Sequence, residues 1–258
     1  MTGYGDIRYE AAAGVARITV CRPERLNAYR NRTADELFAA LREAEGDAEV
    51  RAVLLTGEGR AFGAGYDLTS IRPGETPALD EVLENHFNPL VLAMRSSRLP
   101  VVAAVNGPCA GAAVGIALAA DIVVCSRSAY FYQPFVGIAL VPDAGNTWFL
   151  TRILGHVRAS GTMLLEDRID ARRAEAWGLV WEVFDDDALD DGALAICRRL
   201  AGRDSGASAA TKRLIAKACD AGLPEQLRLE TELQGAAGRS PAVMERVTAF
   251  FARYGRSG

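Results

Sequence analysis

Polar and apolar positions change their period several times along the chain, and each change predicts an element. Ile7 to Glu10 and Val15 to Val20 alternate in the manner of half-buried strands, with Val15, Ile18 and Val20 on the apolar side, and the intervening Ala-Ala-Ala-Gly predicts a hairpin. Arg22-Pro-Glu-Arg-Leu-Asn-Ala28 breaks the period and reads as a loop. A helix is expected to begin at Thr33, whose hydroxyl caps while Glu36 completes a Thr-x-x-Glu box; Leu37, Phe38, Leu41 and Ala44 form its apolar face. Ala52 to Leu55 is a buried strand that ends abruptly in glycines, with Gly63-Ala-Gly65 just beyond Phe62.

The second half of the core repeats this scheme. Thr69 to Leu79, with two prolines and a glycine, predicts a mobile loop, and Leu83 to Ser96 a helix. Val101 to Val105 is a second buried strand with a second glycine-rich exit, Asn106-Gly-Pro-Cys-Ala-Gly111. The segment after it, to Ala120, is almost wholly Ala, Val, Leu, Ile and Gly, so its helix is buried all round. Ile122 to Cys125 and Ala129 to Phe131 are further strands, and the alternation with helices predicts an α/β core over residues 1–201. Residues 202–258 turn wholly helical, with amphipathic candidates at Ala207 to Cys219, Leu223 to Ala236 and Ala242 to Tyr254. Such helices cover their own core or dock on a neighbouring subunit.

Composition narrows the class. The chain has 258 residues, 50% hydrophobic and 24% charged, with a net charge of -4, which suits one large core with a smaller appendage. No basic cluster is interleaved with aromatics, so nucleic acid is not an expected partner. The longest apolar run, Pro100 to Cys125, is broken by Asn106, Pro108, Asp121 and several glycines and does not read as a membrane span. The first residues have neither a basic region nor an apolar stretch, and Cys21, Cys109, Cys125, Cys197 and Cys219 have no Cys-x-x-Cys spacing. Buried thiols in a reducing cytoplasm are therefore expected, with no metal cluster and no cofactor. His86 and His156 read as structural or solvent-facing, His86 keeping the better claim to a site.

The chemistry concentrates at the two glycine-rich exits. Gly57 and Gly59 lack the third glycine of a dinucleotide fingerprint, since Phe62 holds its place, and no Gly-Lys-Ser/Thr follows for a P-loop. Small or absent side chains from Gly57 to Tyr66 and from Gly107 to Ala112 leave backbone amides open to a ligand, and the second exit runs into a helix N-terminus, which favours negative charge. Two such N–H groups would hold an oxyanion; close helix-on-strand packing explains the glycines equally well on composition alone.

Val50 to Leu68 resembles the first signature of the crotonase (enoyl-CoA hydratase/isomerase) superfamily, and Ala103-Ala-Val-Asn-Gly-Pro-Cys-Ala-Gly-Ala-Ala-Val-Gly115 with Ala-Ala-Asp-Ile122 is similar to the second. The resemblance implies a ββα spiral core with a C-terminal helical oligomerisation region, and trimers or hexamers built as dimers of trimers. It implies an acyl-CoA thioester as the partner, with CoA entering only as part of the substrate. The N–H groups of Tyr66 and Ala112 would polarise the thioester carbonyl. Arg25, Asn27 and Ala28 lie in a stretch similar to the loop over CoA, and Phe62, Ala64, Asp67, Leu68, Gly111 and Phe135 would line the substrate site.

Hydratases of the superfamily carry two glutamates where this chain has Gly115 and Phe135, the latter in Tyr132-Gln-Pro-Phe135. Asp143, in Gly137-Ile-Ala-Leu-Val-Pro-Asp-Ala-Gly145, occupies the place of the aspartate in family isomerases and one dehalogenase branch. Phe135 to Leu150 and Ala174 to Trp181 look most like the 1,2-epoxyphenylacetyl-CoA isomerase branch; Tyr66, Asn146 in place of glycine, and Pro241-Ala242 depart from it. The implied reaction is a one-base proton shuttle through Asp143, its pKa raised by walls of Phe62, Phe87, Phe135 and Trp148. Asp143 is equally well placed to cap the helix that follows. A hydratase or lyase with another base, and a CoA-ester-binding protein without catalysis, are the competing readings.

Overall fold

The computed structural model describes residues 3–70 and 78–254. The chain divides into two compact units, Met1–Ala201 and Gly202–Gly258. The first begins with the antiparallel hairpin of β1 (Ile7–Ala12) and β2 (Val15–Val20). Its two-residue turn, Ala13-Gly14, has φ of 51° and 81°, the left-handed pair that a tight hairpin requires.

Helix α1 (Asn31–Gly46) starts two residues before the expected Thr33. Thr33 sits inside the first turn, accepting from the Arg30 N–H at 3.2 Å while its own hydroxyl donates to Asp6 at 2.6 Å. Glu36 does not close a box either; its carboxylate takes the N–H groups of Gly5 and Asp6 at 2.9 and 2.7 Å. Thr33 thus serves the cap from the N3 position, while the Glu36 carboxylate is taken by the N-terminal segment. Leu37, Leu41 and Ala44 are buried, and Phe38 is partly so.

β3 (Ala52–Gly57) is buried along its whole length. Residues 71–77 of the expected Thr69 to Leu79 loop lie outside the described residues. The helix expected from Leu83 begins at Leu79, as α2 (Leu79–Val82), a π turn over Leu83–Phe87, and α3 (Asn88–Ser96). Then follow β4 (Val101–Val105), β5 (Pro108–Ala110), α4 (Ala112–Ala119), β6 (Ile122–Ser126) and β7 (Tyr130–Tyr132). Every residue of α4 is buried. α5 (Asn146–Leu165) is broken at Gly155, whose φ is 73°. β8 (Ile169–Asp170), α6 (Ala171–Ala176), β9 (Glu182–Phe184) and α7 (Leu189–Ala201) complete the unit.

The strands form a sheet of six in the order β1-β2-β3-β4-β6-β9, parallel from β2 onward, and a smaller one in the order β5-β7-β8. β4 passes directly to β5 and β6 to β7, so each turn of chain adds a strand to both sheets, the ββα spiral. Burial on both faces explains the continuous apolar runs. Ala52, Leu54, Val102, Ala104 and Val124 face α7, through Leu189, Ala193, Ile196 and Cys197. Val53, Leu55, Val101, Ala103 and Val105 face the opposite core with Leu37, Leu41, Leu90, Met94 and Ile116. Each buried Leu or Val on these faces contributes about 1.5–3 kcal/mol.

The second unit consists of α8 (Ser205–Ala218), α9 (Leu223–Gly238) and α10 (Pro241–Tyr254). Asp204 caps α8 by accepting from the Ala207 N–H at 2.8 Å. Leu223, Leu227, Met244, Val247, Phe250 and Phe251 are exposed.

Candidate active site

The two strand exits meet. Past β3 the chain rises to Gly63, which pairs with Cys109 of β5: the Gly63 N–H donates to the Pro108 carbonyl at 3.2 Å and the Ala110 N–H to the Gly63 carbonyl at 2.9 Å. Gly65 (φ 91°) and Gly111 (φ 54°) then pass in contact, since a β-carbon on Gly111 would lie 3.5 Å from the Gly65 Cα. Positive φ strains any side chain at either position, and a β-carbon on Gly65 would also crowd the Ala110 carbonyl oxygen at 3.1 Å. Ala112 is the first residue of α4, so its N–H has no intrahelical acceptor and lies at the positive end of the helix.

Ala64, Gly65, Tyr66, Leu68, Gly111, Ala112, Phe135 and Asp143 share one cavity, of about 80 Å³. Leu79, Val82, Leu83, Phe87, Pro134, Ile138 and Leu140 complete its lining, so Asp143 is its one ionisable carboxyl among the described residues. The Tyr66 ring packs edge-on to Phe87, with centroids 5.9 Å apart.

Asp143 is placed by a sharp turn: Ala144 and Gly145 both lie in the left-handed region, at φ 47° and 82°. Its Oδ1 is buried with no hydrogen-bond partner among the described residues. Burial raises its pKa from the ordinary 3.8 to about 6, its own backbone N–H opposing weakly. The capping alternative is not realised, because α5 begins at Asn146 with no side-chain cap. It is the Asp143 backbone carbonyl that serves α5, accepting the Asn146 N–H at 2.8 Å.

Several expected site residues do other work. Asn27 is fully buried; it donates to the carbonyls of Glu58 and Ala61 at 2.9 and 2.6 Å and accepts the Arg22 N–H at 2.8 Å, so it holds the opening loop on the first exit. Asp67 pairs with Arg22 at 2.8 Å, both side chains nearly buried. Phe62 points into the core and contributes nothing to the cavity wall. Trp148 is also absent from that wall, and Arg152 stacks on its ring at 4.0 Å. Arg25 is exposed on a single 3-10 turn (Pro23–Arg25) and Ala28 is buried beneath it in sequence; neither lines the cavity. His86 turns away from the cavity, its Nδ1 2.7 Å from Asp35.

Sequence reasoning left two polar residues without a role. Asn146 and Gln133 are fully buried and bonded to each other at 2.8 Å, Asn146 also donating to the Gly111 carbonyl at 3.0 Å. An asparagine where glycine was expected, next to the candidate base, was the one available signal.

The family model for enoyl-CoA hydratase/isomerase matches residues 10–254. The chain is 44% identical over 96% of its length to a Rhodobacter capsulatus protein named "Probable enoyl-CoA hydratase", of which it covers 95%. It is 41% identical over 93% of its length to the 1,2-epoxyphenylacetyl-CoA isomerase of Escherichia coli, covering 93% of that chain. Its fold matches the crystal structure of an enoyl-CoA hydratase from Polaromonas sp. JS666 with a TM-score of 0.91, at 30% identity over 96% of this chain and 98% of that one. The chain belongs to the enoyl-CoA hydratase/isomerase family. No helix among the described residues is long and apolar enough to cross a membrane.

Proposed function

We propose that the protein is an acyl-CoA isomerase in which Asp143 moves the proton and the N–H groups of Tyr66 and Ala112 hold the thioester oxygen. One observation carries this reading: among the described residues the cavity presents a single carboxyl, with its Oδ1 buried and without a hydrogen-bond partner and its pKa raised to about 6. A base poised near the working pH combines a useful ionised fraction with the ability to return its proton.

In a 3-enoyl thioester, Asp143 takes a proton from C2, and the C2–H electron pair moves into the thioester as a dienolate. The two amides stabilise the negative oxygen, each worth about a hundred- to a thousandfold in rate. Asp143 then delivers the proton to C4, the double bond now lies between C2 and C3, and the carboxylate is regenerated. The same enolate stabilisation suits rearrangement of a ring epoxide in an arylacetyl thioester, the activity named for the Escherichia coli relative. The chemistry calls on the chain's own groups and on CoA as part of the substrate. Among the described residues the lining is apolar apart from Asp143, Tyr66 and the backbone, which favours a largely apolar acyl group.

The hydratase reading has the name of the Rhodobacter relative in its favour. Water addition in the family manner needs two carboxylates to hold and deprotonate water, and Gly115 and Phe135 supply none. A non-catalytic CoA-ester binder would have no use for a desolvated carboxyl. Incubation with a 3-enoyl-CoA and, separately, a 2-enoyl-CoA separates the three. Double-bond migration without 3-hydroxyacyl-CoA is expected; hydration of the 2-enoyl ester would refute the isomerase reading, and binding without turnover of either ester or of an epoxide of phenylacetyl-CoA would favour the binder.

A further inference from the structure

Asn146 is built into the site more tightly than a helix-starting residue needs. Its side chain has no solvent exposure. Nδ2 donates to the Gly111 carbonyl at 3.0 Å and to the Asp143 carbonyl at 2.9 Å, and Oδ1 accepts from Gln133 Nε2 at 2.8 Å. The two carbonyl acceptors fix which end of the Asn146 amide is nitrogen, and that orientation fixes Gln133 in turn. Gln133 Oε1 is left buried without a partner among the described residues. A buried amide held in an orientation that orphans its own oxygen is serving the bond it donates.

The Gly111 carbonyl and the Ala112 N–H belong to one peptide group. A donor on the oxygen draws charge across the peptide plane and makes the N–H a stronger donor, by about 10–30% per bond in hydrogen-bonded amide chains. Gln133, Asn146 and the 111–112 peptide thus form a line of three amides pointing the same way. Its far end is the N–H that opens α4 into the cavity. The other hydrogen of Nδ2 holds the carbonyl of Asp143, whose carboxyl lines that cavity.

We propose that Asn146 is a positioning residue that couples the two halves of the site, polarising the 111–112 peptide toward the substrate oxygen and holding the Asp143 turn in register with it. The inference rests on the acyl-CoA isomerase reading. Glycine at this position would leave the backbone path of α5 intact and remove both donated bonds. The function depends on the amide, therefore, and not on the helix start.

The test follows the thioester carbonyl stretch of phenylacetyl-CoA, labelled with carbon-13 at that carbon and bound to the intact protein, by infrared difference spectroscopy. In the native protein the band is expected below its solution frequency. Asn146→Ala is expected to return it part of the way, with kcat reduced about tenfold or more and KM changed less than threefold, because part of one donor's effect is lost. Gln133→Leu, which keeps Asn146, is expected to move the band in the same direction by a smaller amount, and it carries the test if Asn146→Ala fails to fold. Thr162→Ala, a buried position past the Gly155 break of α5, controls for general loosening and should leave the band in place. A band unmoved in the folded Asn146→Ala, or in Gln133→Leu where that variant carries the test, reduces Asn146 to a packing role and overturns the inference alone. A native protein that leaves the label at its solution frequency overturns the acyl-CoA reading, and the inference with it.

Discussion

A β-carbon on Gly115 would lie 2.2 Å from the carbonyl oxygen of Ala144 and 3.1 Å from its methyl group. The backbone leaving Asp143 therefore presses directly on α4. No side chain fits at position 115 while the Asp143 turn keeps this path.

Gly115→Ala is expected to push that turn away, costing about 1–3 kcal/mol as an overpacked core position and most of the activity. Gly115→Glu should not create hydratase activity. Thermal unfolding and product analysis on a 2-enoyl-CoA check both, and a stable, hydrating Gly115→Glu would contradict the packing.

Asp67 follows Tyr66, whose N–H is the proposed donor to the thioester oxygen, and its pairing with Arg22 ties the first exit to the opening loop. Burial alone would raise its pKa, but hydrogen bonds from Thr69 and Arg22 outweigh it and hold the carboxyl below the ordinary 3.8. Asp67→Asn leaves a buried guanidinium unpaired and should destabilise by about 3 kcal/mol at pH 7. A group with a depressed pKa stabilises above its unfolded value, and that contribution is lost as pH falls through the folded one. The difference from the native protein should therefore shrink in acid, as urea titrations at pH 7 and pH 3 would show.

Asp143 has the opposite sign. Its folded pKa lies above the unfolded one, so the native state holds the proton more tightly and stability falls as pH rises from about 4 to about 6. A rise from the ordinary 3.8 to about 6 corresponds to roughly 3 kcal/mol at most, at about 1.4 kcal/mol per unit. Asp143→Asn should be more stable than the native protein at pH 7 and equal to it near pH 3. Stability sacrificed at one buried carboxyl is what a site held for chemistry requires.

The exposed Leu223, Leu227, Met244, Val247, Phe250 and Phe251 of the C-terminal helices motivate a prediction about assembly. Light scattering should give a trimer or hexamer at micromolar concentration, closed symmetry being usual for soluble homo-oligomers. A monomer would refute it.

The sequence carried the core well, because strands buried on both faces and a helix buried all round leave unbroken apolar runs such as Ala52 to Leu55 and Val101 to Val105. The paired exits were readable for the same kind of reason, since close backbone approach leaves glycine behind. Local rules failed where distant partners outbid them. Thr33 and Glu36 form a box in sequence, yet Asp6 and the Gly5 and Asp6 amides claim their side chains. Phe62 and Trp148 lie near the site in sequence but point elsewhere, one into the core and one beneath Arg152. Asn146 looked like a departure from a pattern, and only its bonds to Gly111, Asp143 and Gln133 reveal its place.

The central claim is that Asp143 is the base, and the pH dependence of kcat/KM for the native protein and Asp143→Asn tests it most directly. Double-bond migration in a 3-enoyl-CoA and conversion of an epoxide of phenylacetyl-CoA are the two reactions to follow. The native profile should rise through an apparent pKa of about 6 and then level, as the carboxylate ionises. Asp143→Asn should lose about a hundred- to ten-thousandfold at the plateau, with acyl-CoA affinity little changed and the rise near pH 6 abolished. Full activity in Asp143→Asn, or the same rise persisting in it, would contradict the account and assign the proton transfer to another group.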